Sequence, residues 1–380
     1  MKVVLLLDSL TPGGTESSTV ALLPALIERD VDVHLVTIRG GAGPLAAQVT
    51  RLGIPWTVMP DVGFIGRVWA LRRLLREVRP DVLHSALFTA DQIGRLAAVG
   101  LPVTVLASLV STPYAPERLQ DPSVGRARLR AVQVLDTVST RLMVDHLHAV
   151  SDGVKAANAR HLRLRPDKIS VVHRGRAGLT PASADERAAT RAGLGVPPHA
   201  LLVVALGRQE PIKGHLVLLR AVRELALRLP EIRVHLFGGA GRATPEILVA
   251  AAAPALADVV KMHEHSDAAL EALAAADVLV IPSYLEGTAG VALEAMALRT
   301  PVVSTATVGV GGILRHDENA LLVPIGDAAA MAAAITAVLS DDALRQRLVE
   351  AGEADFAAHF TLDHAADELV ALYGRLTERR

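Results

Sequence analysis

The 380-residue chain contains no cysteine. Disulfide bridges, thiolate metal sites and cysteine nucleophiles are therefore excluded. Aromatic residues amount to 3%, too few to argue for a stacking platform for polysaccharide, and no motif or basic stripe interleaved with aromatics speaks for nucleic acid. Lysine is scarce, with five against a large number of arginines. Long apolar runs are also missing: the opening Met1-Lys-Val-Val-Leu-Leu-Leu-Asp8 is too short for a signal peptide or a membrane span and ends in an acid. A cytoplasmic location is the expectation. Net charge is −1, yet residues 1–180 hold 22 Lys/Arg against 15 Asp/Glu, and the remainder 17 against 25. A basic first half suits an anionic partner or simply an arginine-rich solvated face.

What the chain has is a repeated unit of short β-branched run, turn and helical pattern. Strands are expected at Val3 to Leu7, Val33 to Thr37, Trp56 to Met59, Val82 to His84, Val103 to Ala107 and Leu147 to Val150. The same alternation returns at Leu201 to Leu206, Val234 to Phe237, Val259 to Met262, Val278 to Ile281, Val302 to Ser304 and Leu321 to Val323. Most of these runs are apolar without alternation, as parallel strands buried on both faces are. The reading is α/β, with two doubly wound Rossmann-like domains. Gly175-Arg-Ala-Gly-Leu-Thr-Pro and the later Gly193-Leu-Gly-Val-Pro-Pro198 form the expected hinge, dividing residues 1–178 from 179–357. Ligands in such sheets lie beyond the carboxyl ends of the strands, so two facing domains would hold the active site in an interdomain cleft.

The stretch Ser283 to Glu294 carries two glutamates, Glu286 and Glu294, eight positions apart, followed by an Ala/Leu/Met helical pattern. A helix beginning near Ala289 would aim the amides of Gly287, Thr288, Ala289, Gly290 and Val291 at one spot and make an anion site. Glu286 would lie at its mouth. Glu294, further in, would accept from sugar hydroxyls and repel a phosphate. Gly207-Arg-Gln-Glu-Pro-Ile-Lys-Gly214 follows an expected strand and supplies Arg208 as a planar fork and Lys213 as a mobile charge, as a diphosphate needs. Phe237-Gly-Gly-Ala-Gly-Arg242 follows another, with Gly239 permitting close approach of a ligand. Three strand ends with phosphate-type features point to a nucleotide.

The order of Gly13-Gly14-Thr-Glu16, Gly207-Arg208 to Lys213-Gly214, Ser283 to Glu294, Thr300-Pro-Val-Val303 and Glu318-Asn-Ala-Leu-Leu-Val-Pro324 resembles the retaining GT-B glycosyltransferases of family 4. The resemblance spans nearly the whole chain. It implies a retaining hexosyltransferase that uses a nucleoside diphosphate sugar, with UDP or GDP, and no metal or other cofactor. It further implies that Arg208 and Lys213 neutralise the diphosphate, Glu294 takes the ribose hydroxyls, Glu286 addresses the donor sugar, and Gly287 to Gly290 offer amides. Gly13 and Gly14 would approach donor phosphate and acceptor, the first domain would bind the acceptor, and residues 358–380 would cross back to it. A plain βα turn is the alternative for Gly13-Gly14.

Relatives often carry a histidine where Ser108 stands, and a second one where Ala86 stands. His84 remains, as a catalytic side chain or a satisfied structural one. Same-face transfer lets the departing diphosphate take the acceptor proton, so a general base is optional; Glu286 as a covalent nucleophile is the other reading. Arg174 and Arg176 replace a Pro-Asn-Gly pattern and either bind an anionic acceptor or pair with acids. The basic amphipathic segment Arg67 to Val78 would lie on a bilayer or, the favoured reading, on its own sheet through Leu71, Leu74, Leu75 and Val78. Met262-His-Glu-His-Ser-Asp267 has ligand-type residues without metal-site spacing, so no metal is expected. A non-catalytic nucleotide-sugar-binding protein and a GT-B epimerase or phosphorylase stay open as alternatives.

Overall fold

The computed structural model describes residues 1–41, 43–121, 123–264 and 268–378. It divides into two compact units: Met1–Ala115 with Gly125–Ala177 and His359–Arg380, and Pro116–Val124 with Gly178–Ala358.

The first unit is built on a parallel sheet of strands β1 (Lys2–Leu7), β2 (Asp32–Thr37), β3 (Trp56–Val58), β4 (Val82–Ala86), β5 (Thr104–Leu109), β6 (His146–Ala149) and β7 (Ile169–Val171), in the order β3-β2-β1-β4-β5-β6-β7. Val3 lies opposite Val33 on one side and Val82 on the other. Side chains alternate across a strand, and β1 shows why its run is apolar throughout. Val3, Leu5 and Leu7 enter a core with Leu369, Leu372 and Tyr373 of the last helix, Leu362–Thr377. Val4 and Leu6 enter a second core with Leu71, Leu75 and Ile93 on the opposite face. Helices therefore cover both faces, the condition for a parallel sheet.

The last helix begins where Thr361 caps the His364 amide at 3.2 Å. At that entry Arg176 N donates to Phe360 O, and Leu362 N to Arg176 O. A Cβ on Gly175 would stand 2.4 Å from Thr361 O, so only glycine lets the two segments cross. Strand β7, Ile169–Val171, was not among the strands expected from the sequence. The helix Phe64–Val78 buries Leu71 and Leu75 against its own sheet, and Arg72 Nη1 donates to Ala97 O and Val99 O at a neighbouring helix end.

The second unit repeats the plan with β8 (Leu201–Leu206), β9 (Ile232–Phe237), β10 (Val260–His263), β11 (Val278–Ile281), β12 (Val302–Thr305) and β13 (Leu321–Val323), ordered β10-β9-β8-β11-β12-β13 and parallel. One departure from the sequence reading is the segment Pro116–Val124, which belongs with this unit. Arg242 Nη1 holds it by hydrogen bonds of 2.6 Å to both Asp121 Oδ1 and Ser123 Oγ, and Asp121 is pulled down to about 2 by that guanidinium. Among the described residues no helix is long and apolar enough to cross a membrane.

Candidate active site

In the second sheet the strand order reverses between β8 and β11, and a crevice opens at the carboxyl ends of such a pair. The loops that leave these two strands touch each other. Gly214 sits at φ 67°, and a Cβ there would lie 1.9 Å from Pro282 O; Tyr284 N donates to Ile212 O at 2.8 Å. This contact carries Lys213, at the end of the turn Pro211–Lys213, to the residues that follow β11. Lys213 Nζ lies 2.8 Å from Glu286 Oε1, and Ser283 Oγ donates to the same oxygen at 2.5 Å. The Glu286 side chain is only 9% exposed. A carboxylate so far from water is costly to bury without such partners.

The strand β12 end completes the cradle. Thr305 Oγ1 donates to Ser283 O at 2.5 Å. Gly309 lies so close beneath Glu286 that a Cβ would meet Glu286 O at 1.9 Å and Gly287 O at 2.8 Å. Ala289 caps the helix Gly290–Ala297 from the left-handed region, φ 46° and ψ 63°, a conformation that costs a non-glycine residue about 1 kcal/mol or more. The first amides of a helix lack intrahelical acceptors, and here Ala292 N already donates to Ala289 O at 2.7 Å. Glu294 follows in the second turn, half-buried. The buried side-chain oxygens Thr288 Oγ1, Thr307 Oγ1 and Gln209 Oε1 and the ring atom His215 Nδ1 have no partner among the described residues. Burying such groups unpaired costs roughly 1–3 kcal/mol each. Arg208 is exposed in the β8 loop. Gly239, behind β9, accepts through its carbonyl from Gln209 N at 3.0 Å.

In the first unit the corresponding reversal falls between β1 and β4. Gly13, extended at φ −156°, precedes the helix Gly14–Ile27. Arg174 reaches the start of this helix: Nη1 donates to Gly14 O at 3.0 Å and Nη2 to Thr15 Oγ1 at 2.8 Å. Burial, aided by the charge of Arg176, brings the Arg174 guanidinium down to about 10, while Glu16 works the other way. Arg176 Nη1 donates to Ser18 Oγ at 2.9 Å. Both arginines thus pin one helix end.

His84 lies in a directed chain of hydrogen bonds. Its Nδ1 is 2.7 Å from Tyr373 Oη and its Nε2 2.7 Å from Ser108 Oγ; Ser108 Oγ is 3.0 Å from His148 Nδ1, and His148 Nε2 is 2.9 Å from Val172 O. A carbonyl only accepts, so His148 donates from Nε2 and accepts at Nδ1. Ser108 then spends its one proton on His148 and accepts from His84 Nε2, which leaves His84 Nδ1 to accept from Tyr373. Both rings are neutral in this pattern. Their burial fits: His84 is pushed well below the ordinary histidine value and His148 to about 4. Thr15, Ser108, His148 and Arg174 line a pocket of about 620 Å³, open mouth included, walled by Leu22 and Leu369.

Comparison with known proteins accords with this geometry. The family model described as Glycosyltransferase Family 4 matches residues 12–176, and Glycosyl transferases group 1 matches residues 186–355. A D-inositol 3-phosphate glycosyltransferase from Streptomyces scabiei is 31% identical over 335 residues, covering 84% of this chain and 70% of that protein. The chain belongs to the family 4 glycosyltransferases. The relative of the same description from Streptomyces bingchenggensis is 30% identical over 372 residues, 95% of this chain and 78% of that one. Among solved structures, Anabaena HepE in complex with UDP-glucose superposes with a TM-score of 0.86 at 19% identity, covering 99% of this chain and 100% of that chain. Sucrose-phosphate synthase of Thermosynechococcus elongatus gives 0.82 at 20%, covering all of both chains. These two likenesses establish the GT-B fold.

In this glycosyltransferase Arg208, Lys213, Gly239, Glu286, Gly287, Thr288, Ala289 and Gly290 follow strand ends of the second sheet, with Glu294 in the second turn of the helix behind them; Gly13, Gly14 and Arg174 follow strand ends of the first, and His84 lies within β4. Sequence reasoning missed Ser283, Thr305, Thr307 and Gly309, whose roles arise from contacts between separate strand ends. It also missed His148 and Tyr373. The one available signal was the pair of histidines two residues apart, His146 and His148, in β6. Of the ligand-type run at Met262, His263 stacks on Phe237 at 4.3 Å and its Nε2 lies 3.0 Å from His235 Nδ1; His265, Ser266 and Asp267 lie outside the described residues.

Proposed function

We propose that this glycosyltransferase is a retaining, metal-independent enzyme that moves a hexosyl group from a UDP- or GDP-sugar to the hydroxyl of an anionic acceptor. The observation that carries the reading is Glu286 Oε1, shared by Lys213 and Ser283 beside the unpartnered Thr288 and Thr307 hydroxyls. An ammonium has three donors. With one on Glu286, Lys213 keeps two for diphosphate oxygens, joined by Arg208 and by the amides at the start of the helix Gly290–Ala297. Glu286 keeps Oε2 for a hydroxyl of the donor sugar, and Glu294 accepts from the ribose.

In the transfer, the acceptor oxygen bonds to the anomeric carbon as the bond from that carbon to the diphosphate breaks. The acceptor proton passes to the leaving phosphate oxygen. Electrostatic stabilisation of the leaving group is then the protein's main task, and Lys213, Arg208 and the helix amides supply it. A histidine base is not needed, which suits His84 with both nitrogens engaged. The acceptor would enter the first unit's pocket, with Arg174 at its polar side. HepE has been crystallised with UDP-glucose and the relatives are named for D-inositol 3-phosphate, which makes a UDP-sugar and a phosphorylated polyol the first pair to try.

Calorimetry with UDP and with GDP, followed by turnover of the preferred donor in EDTA, tests the reading. Micromolar binding of one nucleotide and a product that keeps the donor's anomeric configuration are expected. An inverted product, or activity abolished by EDTA and restored by a divalent cation, would overturn the retaining or metal-independent part.

A further inference from the structure

The helix Arg126–Met143 is turned inside out. Its buried residues are Asp136, Ser139 and Thr140, all polar. Val134, Leu135, Val138 and Leu142 face outward, 64%, 53%, 50% and 75% exposed. Amphipathic helices on a sheet ordinarily do the reverse. The inward side is held by polar bonds to the neighbouring helix Phe88–Ala98. Arg95 Nη1 donates to Asp136 Oδ1 at 2.6 Å and to Ser139 Oγ at 2.8 Å, and Gln92 Nε2 donates to Ser139 Oγ at 3.1 Å. Tyr114 Oη adds a bond of 2.8 Å to Asp136 Oδ2. Rolling the helix to hide its aliphatic side chains would strip a buried ion pair of its partners, which is strongly unfavourable. The outward stripe is a fixed feature of the fold.

Charge identifies what the stripe fits. At about 100° per residue, Val134, Val138 and Leu142 fall in one row with Leu135 beside them, while Arg128 flanks one side and Arg130 and Arg141 the other. All three arginines are exposed, and the only acid on the helix is the buried Asp136. Beyond its end, Arg141 opens onto a hollow shared with Arg163, Arg165 and Lys168 and floored by Val144 and Leu147; Asp167 pairs with Arg165 there. A second copy of the same face would set arginine against arginine. The stripe offers no aromatic anchor or groove of the kind that dominates protein interfaces.

We propose that this face docks on an anionic lipid bilayer. The aliphatic row enters the boundary between headgroups and acyl chains, and the flanking arginines pair with lipid phosphates. The hollow at Arg141 would receive a headgroup.

Flotation of the full chain with phosphatidylcholine vesicles, with and without phosphatidylglycerol, tests this. The wild type should float with the anionic vesicles only and release at high salt. Arg128→Ser with Arg130→Ser should weaken partition about five-fold per arginine, and Val138→Asp with Leu142→Asp should abolish it. All four positions are exposed, so melting temperatures should not move, and a melt of each variant separates lost docking from lost folding. A wild type that stays with the soluble fraction overturns the proposal. So does a Val138→Asp/Leu142→Asp variant that floats like the wild type, equal flotation on neutral vesicles, or a Leu142-dependent dimer without flotation.

Discussion

Lys213 and Glu286, 73 residues apart in sequence, share a 2.8 Å hydrogen bond at the mouth of the second sheet, where Ser283 binds the same carboxylate oxygen. Neither charge is placed by its own loop alone. The loop after β8 supplies the cation, the loop after β11 the anion, and Gly214 lets the two loops meet. A pair so built holds the lysine in place for a ligand and keeps it from extending into water.

On the proposed reading, replacing Lys213 removes a donor to the diphosphate, and it also removes the partner of a buried carboxylate. Lys213→Ala should lower kcat by about 10²–10³-fold, the usual range for losing one electrostatic contact to developing charge. Steady-state kinetics with a saturating donor checks this; an unchanged kcat would remove Lys213 from the reaction.

Glu294 is expected to act on the ground state. Glu294→Ala should raise the nucleotide Kd by roughly ten-fold, the loss of a hydrogen bond to a charged group, and leave kcat within a few-fold. Calorimetry with the nucleotide alone reads the first number and kinetics the second. A variant with native affinity would show that the ribose is held elsewhere.

Gly309 tests the cradle by steric means. In Gly309→Ala the new Cβ would overlap Glu286 O at 1.9 Å, so the Glu286 loop must move and activity should be lost. Gly193→Ala, whose Cβ meets nothing within 4 Å, is the matched control and should leave activity intact. Comparable activity in the two variants would mean that the loop yields without consequence.

Ser108 is the link between two neutral imidazoles. Ser108→Ala leaves His84 Nε2–H and His148 Nδ1 unpaired in a buried setting, which costs about 1–3 kcal/mol for each unsatisfied group. Chemical denaturation of the variant should show a lower midpoint, larger in effect than for Tyr373→Phe, which spares one of the two bonds to His84. The opposite order would contradict the placement of Ser108 as partner of both rings.

Acid should destabilise the protein. Burial pushes His84 well below its ordinary value and holds His148, His215 and His235 at about 4. Because the unfolded imidazoles titrate near 6.5, the unfolded chain binds more protons than the native one between about pH 4 and 6.5. Stability is fully present above that window and is lost as pH falls through it. Asp91, raised by burial to about 7, and Asp8, also raised by burial, work in the opposite sense, against these four histidines and His34, His173 and His263, which burial lowers as well. Melting temperatures should thus hold near pH 7.5 and drop below about pH 6, and His148→Asn should drop less. A melting point that is flat or rising down to pH 5 would contradict this account.

Much of this was legible in the sequence because it is local. The apolar run Val3 to Leu7 announces a strand with two covered faces, and the structure sends its odd and even residues into two different cores. The glutamate spacing from Glu286 to Glu294 announced a loop followed by a helix start, which the structure places at Ala289 and Gly290. Less visible were elements whose reason lies elsewhere in the chain. The three residues of β7 are a strand only because β6 lies beside them. Ser108, read as the absence of a histidine, proves to sit between two of them.

The sequence by itself determined the alternation of strands and helices, the parallel sheets and the family, since each depends on patterns within a few consecutive residues or on motifs in order. Tertiary structure alone decided which charges meet. Hydrogen bonds such as Lys213 to Glu286, Arg174 to Gly14 and Tyr373 to His84 join residues 73, 160 and 289 positions apart. No local pattern encodes such a pairing, because it is fixed only when the sheets bring distant strand ends within about 3 Å of one another.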